Sequence, residues 1–191
     1  MGCGIIFSQL LDGAKHTEEP AFALLGQEKD LGQGRQIERL AALDPPGQWA
    51  TLETLADVAA AALPAAAPGL ARYRCPMVTD TGAADRPYGI LMLVAFAVPP
   101  ERKAEVDDWY LNEHIELLMR APGWLRARRY EVDAMSGEGR RWTHLAFHEL
   151  RDISVMASEE RKIARSTEWR ARLEQEAWFQ TAGRWIFEPR G

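Results

Sequence analysis

The chain has 191 residues, of which 47% are hydrophobic, and 28 acidic against 23 basic residues give a formal net charge of −5. This length and apolar content support one large or two small folded domains, and they argue against disorder. Arginine alternates with acidic residues instead of forming a basic stripe, which argues against a nucleic-acid partner. The N-terminus lacks a signal pattern, and no apolar run approaches the roughly 20 residues of a membrane span, so we expect a soluble cytoplasmic protein with reduced Cys3 and Cys75.

The first half of the sequence predicts weakly marked elements. Residues 4–7 form a short apolar run that indicates a strand, and the following stretch, where a first helix would lie, is poorly periodic. Residues 49–58 indicate a further strand, and the Ala-rich run 58–67 is compatible with a helix. Residues 70–78 then indicate a last strand.

The second half predicts a clearer order of elements. They are a strand, a helix, the two strands of a hairpin, a helix and a strand, at residues 89–98, 101–121, 124–133, 141–150, 153–175 and 181–188. Two prolines end the first strand, a Pro-Gly pair ends the first helix, and a Met-Ser-Gly-Glu-Gly segment supplies the hairpin turn. The order βαββαβ predicts a four-stranded antiparallel sheet with both helices on one face, the ferredoxin-like arrangement.

The two halves of the sequence correspond to each other in the middle. Residues 49–58 can be laid over residues 144–153, and an internal period of about 85–95 residues is too long for a solenoid. We therefore predict an α+β protein of two tandem ferredoxin-like βαββαβ repeats, a degenerate one at residues 1–84 and a second at residues 85–191, joined through residues 79–87. Stacking of their bare sheet faces would form an intramolecular, pseudo-dimeric α/β barrel with an internal pocket.

Residues 108–114, Asp-Trp-Tyr-Leu-Asn-Glu-His, are the strongest functional signal, because packing alone rarely requires two aromatic residues, a carboxylate and an imidazole so close together. His114 is a candidate acid or base, since a modest change of environment brings the pKa of a histidine near neutral pH. Glu113 lies about 100° away around the helix and is expected to meet another element or solvent. The alternative for His114, Trp109 and Tyr110 is a purely structural role.

The predicted hairpin carries two sets of side chains that each share one strand face. They are Arg126, Arg128 and Tyr130 on one strand, and Trp142, His144 and His148 on the other. If both sets face the pocket, the pocket is cationic and aromatic and can hold a small acid. The alternative places the arginines in water at the strand ends, and the tryptophans in the core.

The histidines of the hairpin do not predict a metal site. His144 and His148 lie roughly 13 Å apart on a strand, too far to chelate one ion. His114 has no second histidine one helical turn away, as a helical zinc pair requires. The Gly32-Gln-Gly34 segment lacks the spacing of a phosphate or dinucleotide loop. We therefore predict no metal and no organic cofactor, with haem ligation by His114 or His144 as the remaining alternative.

Four short motifs resemble, in order and spacing, the EthD-like branch of the dimeric α/β-barrel superfamily. They read Asp108-Trp-Tyr-x-x-Glu-His114, Pro122-Gly-Trp, Arg128-Arg-Tyr130 and Leu145-Ala-Phe-His-Glu149. The resemblance covers about residues 88–188 and implies a ferredoxin-like barrel that acts on small cyclic or conjugated substrates, in many members without metal or organic cofactor. The wider group includes lactone isomerisation, polyketide cyclisation, cofactor-free oxygenation and haem-dependent reactions, so the resemblance narrows the fold more than the reaction. The first half lacks the motif that ends at His114.

These observations predict a cofactor-independent enzyme of aromatic or lactone catabolism. The leading hypothesis is an isomerase or related lyase that moves a proton within a conjugated carboxylated substrate. His114 would transfer the proton, and Arg126 or Arg128 would hold the carboxylate. Secondary donors and further binding residues would be His144, Tyr130, Trp109, Trp142 and His148. The alternatives are a cofactor-free monooxygenase or cyclase of polycyclic phenols, and a non-catalytic small-molecule binding protein. Exposed sheet edges would allow a homodimer.

Overall fold

The computed structural model describes residues 2–11, 15–25, 36–83 and 86–190. The strands of these residues are β1 Gly4–Leu10, β2 Gln36–Asp44, β3 Trp49–Leu55, β4 Leu70–Gly82, β5 Ile90–Phe96, β6 Trp124–Glu131, β7 Ala134–Gly137, β8 His144–Leu150 and β9 Gly183–Arg190. The α-helices are α1 Glu18–Leu25, α2 Lys103–Trp109, α3 Ile115–Leu118, α4 Glu159–Arg165, α5 Glu168–Leu173 and α6 Ala177–Gln180. None of the helices in these ranges is long and apolar enough to span a membrane.

The chain divides into two compact units that are not consecutive halves of the sequence. The first unit comprises Met1–Val78, Tyr130–Arg141 and Trp185–Gly191, and the second comprises Thr79–Arg129 and Trp142–Arg184. The predicted boundary between residues 84 and 85 lies outside the described residues. The division into two tandem repeats, and the barrel they would form, therefore stay predictions.

The first unit is built on β1, which lies between two antiparallel neighbours. Phe7 of β1 is opposite Leu52 of β3 and opposite Tyr73 of β4. All seven residues of β1 are buried, as expected of a strand with partners on both edges and packing on both faces. Phe22 of α1 packs with Leu10 and Leu70 at one end of the strands.

The second unit pairs β5 with β8 along their whole length, from Ile90 opposite Leu150 to Phe96 opposite His144. On the other edge of β8 lies β6. The helices bury their aromatic side chains against this sheet in one cluster that includes Phe96, Trp109 and Phe179. The α+β class is therefore correct, and Trp109 and Tyr110 of the 108–114 segment belong to this aromatic cluster.

Most predicted strands are confirmed by the structure. In the second half, residues 89–98, 124–133 and 141–150 contain β5, β6 and β8, and β9 begins within the predicted range 181–188 and runs two residues further, to Arg190. In the first half, β1, β3 and β4 lie where strands were predicted, although β4 runs four residues further, to Gly82. The strand β2 was not predicted, because its sequence mixes charged and small residues.

Three predictions about local structure are wrong. Residues 58–67 form no helix beyond one turn, in which the Ala61 amide donates to the Val58 carbonyl, because Pro64 lacks the backbone N–H that a continuing helix needs. The expected hairpin turn instead forms β7, which pairs with β4 and places Ser136 opposite Arg72. The helix predicted at residues 153–175 is divided into a 3₁₀ turn at Ile153–Ala157, then α4, then α5.

Candidate functional site

The helix that carries the 108–114 segment widens locally into a π-helical turn. This turn spans Tyr110–His114, between α2 and α3, and the Ile115 amide donates to the Tyr110 carbonyl five residues earlier. In a regular α-helix, residues five apart point about 140° away from each other. The wider turn removes most of that angle, and the His114 imidazole stacks on the Trp109 ring with a centroid distance of 4.4 Å and an interplanar angle of 25°. Such bulges are frequent at functional sites.

The orientation of His114 is fixed by the backbone of α4. Its Nδ1 lies 3.2 Å from the Ala164 carbonyl oxygen, which can only accept, so Nδ1 carries the proton of a neutral ring and Nε2 is the acceptor. Burial is the main cause that lowers the pKa of His114 to about 3, and interactions with His148, Arg170 and Arg165 make smaller contributions in the same direction. The imidazole is therefore neutral at neutral pH.

Glu113 holds Trp109 rather than the imidazole beside it in sequence. Its Oε1 accepts from Trp109 Nε1 at 3.2 Å and from Thr167 Oγ1 at 2.6 Å. Thr167 is also the N-cap of α5, where its hydroxyl accepts from the Arg170 amide. Glu113 thus meets another element, as the helix geometry predicts, and it fixes the ring on which His114 stacks.

A cavity of about 60 Å³ lies beside His114 in the second unit. Its wall includes four aromatic rings, from Trp109, Tyr110, Trp124 and Phe179. It has room for roughly two water molecules. A compact group enters such a space without rearrangement, whereas a large ring system does not.

Four arginines complete the wall of this cavity: Arg161, Arg165, Arg170 and Arg184. Arg161 and Arg165 lie one turn apart on the same face of α4. Arg161 Nη1 donates to the Met156 carbonyl at 2.8 Å, and Arg170 Nη1 donates to the Arg165 carbonyl at 3.0 Å. Arg165 and Arg184 are exposed, so the cavity opens to solvent on their side.

The arginines outnumber the carboxylates around the cavity. Arg170 pairs with Glu174 at 2.6 Å, and no other carboxylate of the described residues lies within salt-bridge distance of the four guanidinium groups. Burial lowers the pKa of Arg161, and the charges of Arg165, Arg170 and Arg184 lower it further. Guanidinium groups remain protonated at neutral pH, so the cavity is strongly positive.

Tyr110 supplies a neutral hydrogen-bond donor to the same wall. Burial raises the pKa of its hydroxyl to about 12, against the opposing charges of Arg129, Arg184 and Arg170. The guanidinium of Arg129 lies over the Tyr110 ring at 4.4 Å from its centroid. The phenol therefore stays protonated at neutral pH and can donate to a bound oxygen atom.

His148 lies behind the wall and supports Trp124. Trp124 Nε1 donates to His148 Nδ1 at 3.2 Å, which leaves the ring proton of a neutral His148 on Nε2. Burial lowers the pKa of His148 to about 3, and the charge of Arg129 acts in the same direction. His148 therefore acts on the cavity through the tryptophan that it orients.

The two arginines predicted to bind substrate lie in an ion-pair cluster and are not part of the cavity wall. Arg126 donates to both carboxylate oxygens of Asp80, at 2.7 and 2.6 Å. Arg128 Nη2 lies 2.9 Å from Glu149 Oε1, and Arg126 Nη1 lies 3.5 Å from the same oxygen. The hydrogen bonds from Arg126 hold the pKa of Asp80 below its usual range. These charges compensate each other within the sheet.

The remaining predicted site residues are dispersed. His144 Nδ1 lies 2.9 Å from Thr143 Oγ1, and this hydroxyl donates to the Phe96 carbonyl. Trp142, two residues before His144, is also buried. Tyr130 is buried in the first unit. Of the predicted set, His114 and Trp109 line the cavity and His148 supports its wall. The roles assigned to these residues stay predictions.

Sequence reasoning missed most of the positive wall. The spacing of Arg161 and Arg165 on a predicted helix is a signal that could have placed both on one face. Arg170 and Arg184 offered no such signal, because the break between α4 and α5 and the return of β9 bring them to the cavity. Tyr110 was noted only as a member of the motif.

The cavity does not fit haem, the one cofactor considered from sequence. Pockets for drug-sized ligands measure about 300–1,000 Å³, and a porphyrin is at least that large, whereas this cavity measures about 60 Å³. His144 is not among the residues that line this cavity. No step of the chemistry is therefore assigned to haem.

No protein-family model matches this sequence, and no curated protein matches it. Several solved structures share the fold. An anthrone oxidase-like protein matches with a TM-score of 0.64 at 10% identity, over 100% of this chain and 92% of the other. A ferredoxin-fold protein of Listeria monocytogenes related to antibiotic biosynthesis monooxygenases matches with a TM-score of 0.59 at 12% identity, over 100% and 96%.

A third structure, a heme-degrading enzyme of Listeria monocytogenes, matches with a TM-score of 0.55 at 11% identity, over 97% of this chain and 98% of the other. Identities this low show the fold alone. The EthD-like branch inferred from the four motifs remains a prediction. The chain has an α+β fold whose structural relatives are ferredoxin-fold proteins.

Proposed function

We propose that this chain is a small-molecule enzyme in which Nε2 of His114 accepts a proton from a conjugated acid bound in the cavity, and that it acts as an isomerase. The observation that carries the proposal is the state of His114. Its Nδ1–H is anchored on the Ala164 carbonyl and its ring is stacked on Trp109, so a neutral imidazole presents one acceptor nitrogen in a fixed orientation. Returning the proton to another carbon of the substrate completes an isomerisation.

The rest of the wall suits the charge that such a proton transfer creates. Removal of a proton from a conjugated acid leaves an enolate or extended carbanion, which guanidinium groups and a phenol stabilise when they are already in place. Arg170, which is buried, and Tyr110, which stays protonated, are groups of this kind in the cavity wall. They replace Arg126 and Arg128 in the role that the sequence suggested.

The low pKa of His114 is compatible with its role as a base. Burial is the main cause of the lowered pKa, and the charges of Arg170 and Arg165 contribute to it. A bound anion compensates those charges, so the imidazole becomes more basic when substrate is present. The empty site therefore avoids protonation of His114 by solvent.

The size of the cavity favours the isomerase over the alternatives that use large substrates. A volume of about 60 Å³ suits a short conjugated segment or one end of a small ring compound. A polycyclic phenol would require the helices around the cavity to move apart. The cavity therefore suits a substrate of few atoms with at least one carboxylate.

Cofactor-free oxygenation is a second candidate, favoured by the names of the structural matches. These include an anthrone oxidase-like protein and a relative of antibiotic biosynthesis monooxygenases. The first step would be the same, because the carbanion formed by His114 would then react with dioxygen. Oxygen uptake by metal-free protein separates this reaction from isomerisation, in which none is consumed.

The test is proton exchange. Short conjugated carboxylic acids are incubated with the protein in D₂O, and deuterium incorporation at carbon is followed by NMR. His114→Gln should reduce the exchange rate by about two to four orders of magnitude, as loss of a general base does. His16→Gln, a change in the first unit, is the matched control. Undiminished exchange in His114→Gln would exclude His114 as the base, and binding without any exchange would identify a carrier.

A further inference from the structure

We propose that Arg161, Arg165 and Arg184 form an anion site at the mouth of the cavity, which takes a doubly charged small group of the substrate, a phosphate or a pair of carboxylates. Proton transfer by His114 requires only one acidic group, so this inference narrows the substrate class. It rests on the proposed function in one respect: the cavity is the substrate site.

Charge compensation distinguishes these three arginines from others in the same unit. Arg126, Arg128 and Arg129 each have a carboxylate within 3 Å, supplied by Asp80, Glu149 and Asp107 respectively. Within the described part of the chain, no carboxylate comes within salt-bridge distance of Arg161, Arg165 or Arg184. Arg161 is half-buried and Arg165 and Arg184 are exposed, so an external anion can reach all three.

The three guanidinium groups are also brought together by different elements. Arg161 and Arg165 come from one face of α4, and Arg184 comes from β9. Arg161 is held in place by the Met156 carbonyl, a neutral acceptor that orients the side chain without compensating its charge. The proximity of the four positive charges is reflected in the lowered pKa values of Arg161 and Arg170, for which burial is the largest cause and neighbouring arginines a further one.

The charge count favours a dianion. Arg170 already shares its charge with Glu174, which leaves three uncompensated guanidinium groups around one small opening. A single carboxylate would leave two of them repelling each other. A phosphate, or two carboxylates on a short chain, accepts several charge-assisted hydrogen bonds from the planar guanidinium groups.

The same surroundings argue against a nucleic acid or another extended polyanion. The cavity measures about 60 Å³. The helices α4 and α5, which supply arginines to its wall, also carry Glu159, Glu160 and Glu168. The whole chain has a formal net charge of −5. Positive potential is therefore concentrated at the cavity and does not extend along a surface as polyanion binding requires.

Binding is measured by titration calorimetry on the full chain with inorganic phosphate, malonate and acetate at equal ionic strength. We expect phosphate or malonate to bind at least about tenfold more tightly than acetate, and the tighter of the two identifies the dianion. Arg165→Gln and Arg184→Gln should each weaken that binding by about 10- to 100-fold, the usual effect of losing a hydrogen bond to a charged group. Both residues are exposed, so the variants should fold.

The matched control is Arg172→Gln, an exposed arginine of α5 outside the cavity wall, which should leave the affinity unchanged. Equal affinities for acetate and the dianions would overturn the inference, as would unchanged affinity in both arginine variants. Tighter binding of a single-stranded oligonucleotide than of phosphate would overturn it in favour of a polyanion. Absence of proton exchange in the wild-type protein, together with tighter binding of the dianion than of acetate, would refute the proposed function alone.

Discussion

The lowered pKa values of His114 and His148 predict a steep loss of stability in mild acid. His114 and His148 have folded-state pKa values of about 3, below the ordinary 6.5, and burial is the main cause for both. Between these values the unfolded chain binds protons that the folded chain does not. Stability is therefore fully present above pH 6.5 and falls as the pH is lowered from 6.5 towards 3.

The size of the effect follows from the same values. At pH 5 an unfolded histidine favours its protonated form by about 30-fold, while a folded one with a pKa near 3 stays neutral. This corresponds to about 2 kcal/mol for each histidine, and up to about 4 kcal/mol for both. His148→Asn keeps an acceptor for Trp124 Nε1 and removes one titrating group.

Urea unfolding of the wild type and of His148→Asn at pH 7, 6 and 5 measures this difference. Lowering the pH from 7 to 5 should reduce the unfolding free energy of both proteins, and the reduction should be about 2 kcal/mol smaller in the variant than in the wild type. The cavity left by the smaller side chain lowers stability equally at each pH, so the slope is the informative quantity. Parallel curves for the two proteins would refute a neutral buried His148.

Three further substitutions test close packing and charge compensation within the second unit. Gly123→Ala places a Cβ 2.3 Å from Val155 Cγ2, and this clash should lower the unfolding free energy by about 1–3 kcal/mol. A second substitution, Val155→Ala, removes the clash and should restore most of this loss. If it does not, the clash is not the cause. Glu149→Gln removes a carboxylate from Arg128, both side chains being almost fully buried, and should cost about 3 kcal/mol. Asp80→Asn, on the exposed side of the same cluster, should lower the unfolding free energy by less than about 1 kcal/mol in the same urea assay. Equal losses of unfolding free energy in Glu149→Gln and Asp80→Asn would show that burial does not decide the cost.

Most strands could be predicted from sequence because they carry a local signal, whereas β2 and β7 do not. The run that became β5 is apolar throughout and ends at two prolines, and β8 carries alternating large side chains that are all buried. The segment that became β7 has no such signal. Its glycines and serine suggest a turn, and only its pairing with β4 makes it a strand.

The candidate site could be predicted only in part, because one side of the cavity comes from a short sequence motif and the other side from the way separate elements come together. His114 and Trp109 belong to one short motif and were found together. The arginine wall depends on the break between α4 and α5, where Thr167 begins a new helix and so redirects Arg170 relative to Arg161. The capping side chains Ser158 and Thr167 were visible signals of two helix starts, but the periodicity across residues 153–175 concealed them.

The π-helical turn holds one residue more than a regular α-helix would hold in the same place. Trp109 and His114 are five residues apart, and the wider turn brings them together as residues four apart meet in a regular α-helix. Removal of one residue between Tyr110 and His114, with a return to a regular α-helix, would give them a spacing of four and keep the imidazole on the face of Trp109. A single-codon deletion within the turn should therefore preserve this contact, whereas the same five-residue spacing wound as a regular α-helix would lose it.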